Sequence, residues 1–199
     1  MKNQQSHHFN QKSVNCSKPT KHNNMTEPRY PIGDFSYEKP YNDQEIQEKI
    51  EAIATLPTRL RAAVKDLNQA QLDTPYRDGG WTLRQVVHHV ADSHINGYTR
   101  VKLALTEDNP SIKPYEEQLW AELPDTFQIP IETSLNLLDA VHSRWVCLYQ
   151  TMTKDQWQRT FYHPGNKKSY PLVMHVGLYA WHGNHHLAHI TTLKTQKEW

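Results

Sequence analysis

Residues 172–194 read LVMHVGLYAWHGNHHLAHITTLK. The stretch reads as the last long helix of the chain, and it decides what the rest must be. A helix brings residues i and i+4 onto one face, one turn apart, so this one offers two histidine pairs, His182 with His186 and His185 with His189. Two imidazoles spaced this way converge on one metal ion, and a third ligand must come from another element. Thirteen of the 199 residues are histidine, and eight of them fall in this helix and in VVHHVADSH at 86–94.

That second window sits on a helix opening at Thr82, where Thr82 and Gln85 have capping-box spacing. Leu83, Val86, Val87, Val90, Tyr98 and Val101 supply its buried side, and the breaker Asp108-Asn109-Pro110 ends it near Thr106. His89 lies at the edge of the buried face, His94 follows Val90 by four and points inward too, and His88 points away. Spacing does not choose between the two pairs on the last helix, and His88, His89 and His94 all stand as third ligands. Burying several imidazoles with no shared partner is costly, which favours a metal over separate core histidines. His142 and His175 read as structural or exposed.

Two more apolar stripes complete the count. Ile46, Ile50, Ile53, Leu60, Val64 and Leu67 step by threes and fours over about 43–67, with Pro57 in the stripe, where it should kink or split the helix. Leu135, Leu138, Val141, Trp145, Leu148 and Met152 do the same over about 132–152, and a short turn of helix is expected around Gln156. Four long helices, no strong strand pattern and no internal repeat point to an all-α four-helix bundle. A small hairpin before the last helix, Thr160–His163 with Lys168–Tyr170, is the one candidate for β structure. Residues 107–130 carry four prolines and read as a long connection, packed down by Tyr115, Leu119 and Trp120 and long enough to cover a site. Trp145 and Trp157 read with Trp120 as core or interface residues.

Residues 1–28 are rich in Asn, Gln, Ser, Lys and His and read as a disordered tail, with the domain over 29–199 and an extended strap at 29–41. Met25 is a candidate start codon. With 22 Lys+Arg against 21 Asp+Glu the chain has no general pull towards nucleic acid or anionic membrane. No apolar run reaches a membrane span and no signal peptide is evident. Cys16 and Cys147 form no CxxC, which excludes a disulfide framework or Cys-rich zinc module, and a cytoplasmic location is expected.

YPIGDF at 30–35, LDTPYRDGGWTLRQVVHHVADSH at 72–94, FYHP at 161–164 and LYAWHGNHHLAHI at 178–190 together resemble the YfiT family of metal-dependent hydrolases, within the DinB-like superfamily of four-helix bundles. The resemblance spans about residues 30–195. It implies a three-histidine metal site, matched here by His89, His182 and His186, with His185 and His189 around it or at the surface. Val90 stands where the family usually has Leu, a conservative change. The resemblance also implies a homodimer acting on a small-molecule substrate.

Three neutral imidazoles leave a divalent ion its full charge and an open position, as in catalytic zinc sites. Zinc is the default, with nickel compatible with the same donors, one ion per chain. Such an ion activates water and polarises a carbonyl, the chemistry of a hydrolase. No Glu stands beside the ligands as a general base, and Asp92, three residues from His89, is the one candidate. Two alternatives follow. One is a metal-dependent transferase holding a low-molecular-weight thiol as thiolate, which needs no carboxylate base. The other is a non-catalytic, metal-stabilised bundle with a closed shell completed by His185 or His94.

Overall fold

Asn42 starts the first long helix by capping it. Its side chain accepts from the Glu45 N–H at 2.9 Å while the Glu45 carboxylate accepts from the Asn42 N–H at 2.7 Å. The computed structural model describes residues 27–199. In it α1 runs Asp43–Val64, α2 Gln69–Leu72, α3 Leu83–Thr106, α4 Glu117–Trp120, α5 Pro124–Gln128, α6 Ile131–Gln150 and α7 Lys154–Gln158. The hairpin β1 Thr160–His163 and β2 Lys168–Pro171 then leads directly into α8, Leu172–Lys197. Phe161 pairs with Tyr170 in its antiparallel register. Thr82 and Gln85 form the capping box of α3, as their spacing predicts. The disordered tail expected for 1–28 and the candidate start at Met25 lie outside the described residues, Glu27 and Pro28 excepted.

The four long helices form the bundle. α1 packs on α6 and α8, and α3 packs on the same two, so α1 and α3 face each other across one diagonal and α6 and α8 across the other. This arrangement makes α3 and α8, the two histidine-bearing helices, neighbours. Gly97 lets them close in, because a Cβ there would overlap the Tyr179 and Trp145 rings.

The apolar core is in two parts. One holds Ile46, Ile50 and Ile53 of α1 with Val101, Trp145, Val176 and Tyr179, and the other holds Leu56 and Leu60 with Val86, Val90, Leu135, Leu138 and Ile190. Burying each such side chain contributes about 1.5–3 kcal/mol. Between the two parts lies a layer of buried histidines: His94 from α3, His142 from α6 and His186 from α8.

The strap ahead of α1 lies along α8. The Gly33 carbonyl accepts from Trp181 Nε1–H at 3.2 Å, the Arg29 carbonyl bonds His189 Nε2 at 3.1 Å, and the Tyr41 ring occupies the space that a Cβ at Gly177 would take.

Two expectations need correction. Pro57 neither ends nor splits α1, which continues through it to Val64. Leu119 does not pack the 107–130 connection down, since it is 60% exposed, whereas Trp120 packs on the half-buried Tyr115 with ring centroids 4.6 Å apart. Buried Ile112 and Ala121 anchor that connection, and polar contacts join them, with Trp81 Nε1–H donating to Gln118 Oε1 at 2.9 Å and Gln85 Nε2–H to the Ala121 carbonyl at 3.0 Å. Trp145 and Trp157 are buried in the core, as expected, and Trp120 is partly exposed at the surface.

Candidate metal centre

The register of α3 against α8 places one turn of each face to face. His89 Nε2 lies 3.3 Å from His182 Nε2, and one ring nitrogen from each of His89, His182 and His186 falls within 4.8 Å of the others. This N···N separation matches the edge of a tetrahedron with metal–nitrogen bonds of about 2.0–2.1 Å. His89 and His186 are buried, and His182 keeps partial exposure, the open side of the group. Trp81, just ahead of α3, walls the group, its ring 4.5 Å from that of His89 and stacked on His186 at 6.4 Å.

All three rings are neutral donors. Burial, then the neighbouring rings of His185 and His189, pushes His89 down to about 3. Burial and then the facing histidines hold His182 and His186 well below the usual imidazole range. The alternative is three mutually repelling imidazolium ions in a space of low dielectric. Unprotonated nitrogen is what a metal needs, so the donor set fits a divalent ion without further rearrangement of charge.

A chain of rings extends inward from His182. Its Nδ1 is 3.1 Å from His94 Nε2, His94 Nδ1 is 2.8 Å from His142 Nε2, and His142 Nδ1 is 2.7 Å from the Ile53 carbonyl oxygen. His94 is fully buried, as its position four after Val90 suggests, and its ring lies edge to edge with that of His142, the two planes within 7° and the centroids 4.9 Å apart.

The second i,i+4 pair is also buried. His185, His186 and His189 form a second group within 4.8 Å that shares His186 with the first. His189 stacks on Tyr76 at 3.9 Å, and His185 stacks on Trp181 at 4.6 Å. His89 joins the His182–His186 pair in a group, and no such group joins it to the His185–His189 pair.

His88 does not point away from the buried face. It is 5% exposed with Nδ1 2.7 Å from Ser134 Oγ, because α3 is covered by α6 and α5 as well as α8. His175 is buried against the Tyr149 hydroxyl at 3.0 Å. His142 is buried too, as a member of the histidine layer, a role that sequence reasoning missed. The signal was present: His142 lies four after Leu138 and three before Trp145, on the α6 stripe. Trp81 and Tyr76 were missed as walls of the site, because nothing in a turn cluster announces which rings fold back over a helix. Asp92, one turn along α3 from His89, is pushed up to about 6 by burial and then by Asp125.

A family model described as the DinB superfamily matches residues 52–190. Proteins of Bacillus cereus and Bacillus anthracis carrying the name "Putative metal-dependent hydrolase" are 53% identical over 175 residues, covering 88% of this chain and 100% of theirs. Among solved structures, YfiT from Bacillus subtilis, described as "a probable metal-dependent hydrolase with an unusual four-helix bundle topology", superposes with a TM-score of 0.85 at 46% identity. The match covers 86% of this chain and 98% of YfiT. A mycothiol-dependent maleylpyruvate isomerase shares the fold at a TM-score of 0.55 and 14% identity, over 69% of this chain and 57% of its own.

Proposed function

The chain belongs to the DinB superfamily, in its YfiT-like branch, and from that premise we propose that it is a metal-dependent hydrolase whose ion is held by His89, His182 and His186. The observation that carries this reading is the convergence of three neutral imidazoles from two helices, with His182 still open on one side. A divalent ion bound there, zinc by default and nickel by the same donors, supplies a polarising charge for a carbonyl and brings the pKa of water to about 7.

This chain's own residues supply the rest. His89, His182 and His186 orient toward one point, and the Trp81 ring excludes bulk water from their buried side. Asp92, held near pKa 6, is the carboxylate we assign to accept a proton from the attacking group. Its acidity suits a base working at neutral pH.

A second reading is transfer of a low-molecular-weight thiol. It is favoured by one feature: both histidine groups contain no carboxylate, and a thiolate needs none. Products separate the two, since hydrolysis yields fragments and transfer yields a thiol adduct. The homodimer implied by the resemblance is likewise a proposal, checked by light scattering. No helix of the described residues is long and apolar enough to cross a membrane.

The deciding experiment is metal content by elemental analysis of the untagged protein beside His89→Ala and His182→Ala. We expect about one ion per parent chain and none in either variant. A parent that takes up no zinc or nickel overturns both enzymatic readings.

A further inference from the structure

The row of rings behind His182 ends on a main-chain carbonyl, and that end determines every proton in the row. A carbonyl oxygen only accepts, so His142 donates to it through Nδ1–H across 2.7 Å. A neutral imidazole carries one N–H, which leaves His142 Nε2 as a lone pair that accepts from His94 Nδ1–H at 2.8 Å. His94 Nε2 then accepts from His182 Nδ1–H at 3.1 Å. His182 is left with a lone pair on Nε2, the atom that faces His89 Nε2 at 3.3 Å. Burial pushes His142 down to about 4, so the ring that starts the row stays neutral and gains no second N–H that would scramble the order.

The Ile53 carbonyl is free to play this part for a reason written in the sequence. Inside a helix the carbonyl of residue 53 accepts from the N–H of residue 57, four positions on. Residue 57 is proline and has no N–H. The buried oxygen would be left without a donor, and the His142 ring supplies one.

We propose that Pro57 frees the Ile53 carbonyl to anchor His142 and His94 as positioning residues, which hold His182 as its Nδ1–H tautomer with the Nε2 lone pair directed at the metal position. The purpose of the relay rests on the metal reading above, and the tautomers rest on the hydrogen-bond geometry. A ring with its proton on Nε2 cannot ligate through that atom. An outer partner also raises ligand basicity, and losing one typically costs 10–100-fold in metal affinity, on the order of what is expected here.

The test uses the full chain, isotope-labelled and metal-free, with imidazole tautomers read by long-range proton–nitrogen correlation and zinc affinity by chelator competition. We expect His142, His94 and His182 of the parent all to carry hydrogen on Nδ1. His142→Leu should leave His182 in mixed tautomers and weaken zinc binding roughly 10–100-fold. His142→Gln, whose amide oxygen can take the place of Nε2 as acceptor, should retain most of the affinity. Pro57→Ala keeps α1 helical, offers the Ile53 carbonyl a competing N–H, and should weaken zinc binding measurably, by less than about 10-fold. Hydrogen on Nε2 of His182 in the parent overturns the proposal, and so does unchanged zinc affinity in both His142→Leu and Pro57→Ala. If His142→Leu does not fold, the parent tautomers and Pro57→Ala still decide. A parent with the expected tautomers that binds no zinc overturns the metal reading and leaves the relay standing. A parent that binds zinc with His182 in mixed tautomers does the reverse.

Discussion

Acidification of the metal-free protein should unfold it steeply, and the buried histidines determine where. His89, His94, His142, His175, His186 and His189 are each at least nine-tenths buried, and each has its pKa lowered chiefly by burial. Burial brings His89 and His175 down to about 3 and His142 and His189 down to about 4. In the unfolded chain each returns to about 6.5. A base with a depressed folded pKa contributes stability that is complete above the unfolded value and is lost as pH falls, because the unfolded chain then binds more protons. Each ring approaches a slope of about 1.4 kcal/mol per pH unit, and six together approach about 8 kcal/mol per pH unit. A domain with about 5–15 kcal/mol to lose should therefore unfold between about pH 6 and pH 5. The assay is urea unfolding followed by tryptophan fluorescence at stepped pH after dialysis against chelator. A metal-free protein still folded at pH 4, or a slope corresponding to fewer than about three protons, would refute the reasoning. Saturating zinc should move the midpoint to lower pH, because the ion binds the folded state and competes with protons for the same nitrogens.

Two further outcomes are expected. Gly97→Ala should destabilise the bundle by about 1–3 kcal/mol in urea unfolding, since its Cβ meets the Tyr179 and Trp145 rings where α3 approaches α8. Asp92→Asn should abolish any hydrolytic rate increase through pH 6 and slightly raise stability at pH 8. The wild-type carboxyl has a folded pKa raised to about 6, so its ionisation costs stability as pH rises through that value, reduced here by its partial exposure to water.

The four long helices were legible because their apolar residues recur in threes and fours, and the start of α3 because Thr82 and Gln85 bond reciprocally at a spacing readable from the chain. The His89, His182 and His186 set was legible only in part. Helical spacing gave two equal pairs, the resemblance chose between them, and the geometry brings the chosen three together. What could not be read was how the helices surround one another. A stripe defines one buried face, whereas α3 is covered by α5, α6 and α8, and so His88 is buried against Ser134 on a side its pattern marks as outer. Leu119 illustrates the converse: an apolar residue in an irregular connection has no period to show which way it faces, and it is 60% exposed. Pro57 reads as a kink or a split because the sequence shows its missing hydrogen bond as a loss, whereas a ring from α6 takes up the carbonyl it leaves free.

The strap has a consequence for the order of synthesis. Its carbonyls at Arg29 and Gly33 bond to His189 and Trp181, which the ribosome adds roughly 150 residues later. At about 5–20 residues per second, the strap emerges many seconds before the helix on which it rests exists. During that interval it cannot have its native partner, and docking it is a closing step of assembly. A nascent chain stalled before α8 therefore lacks both the helix that carries His182 and His186 and the surface that receives the strap.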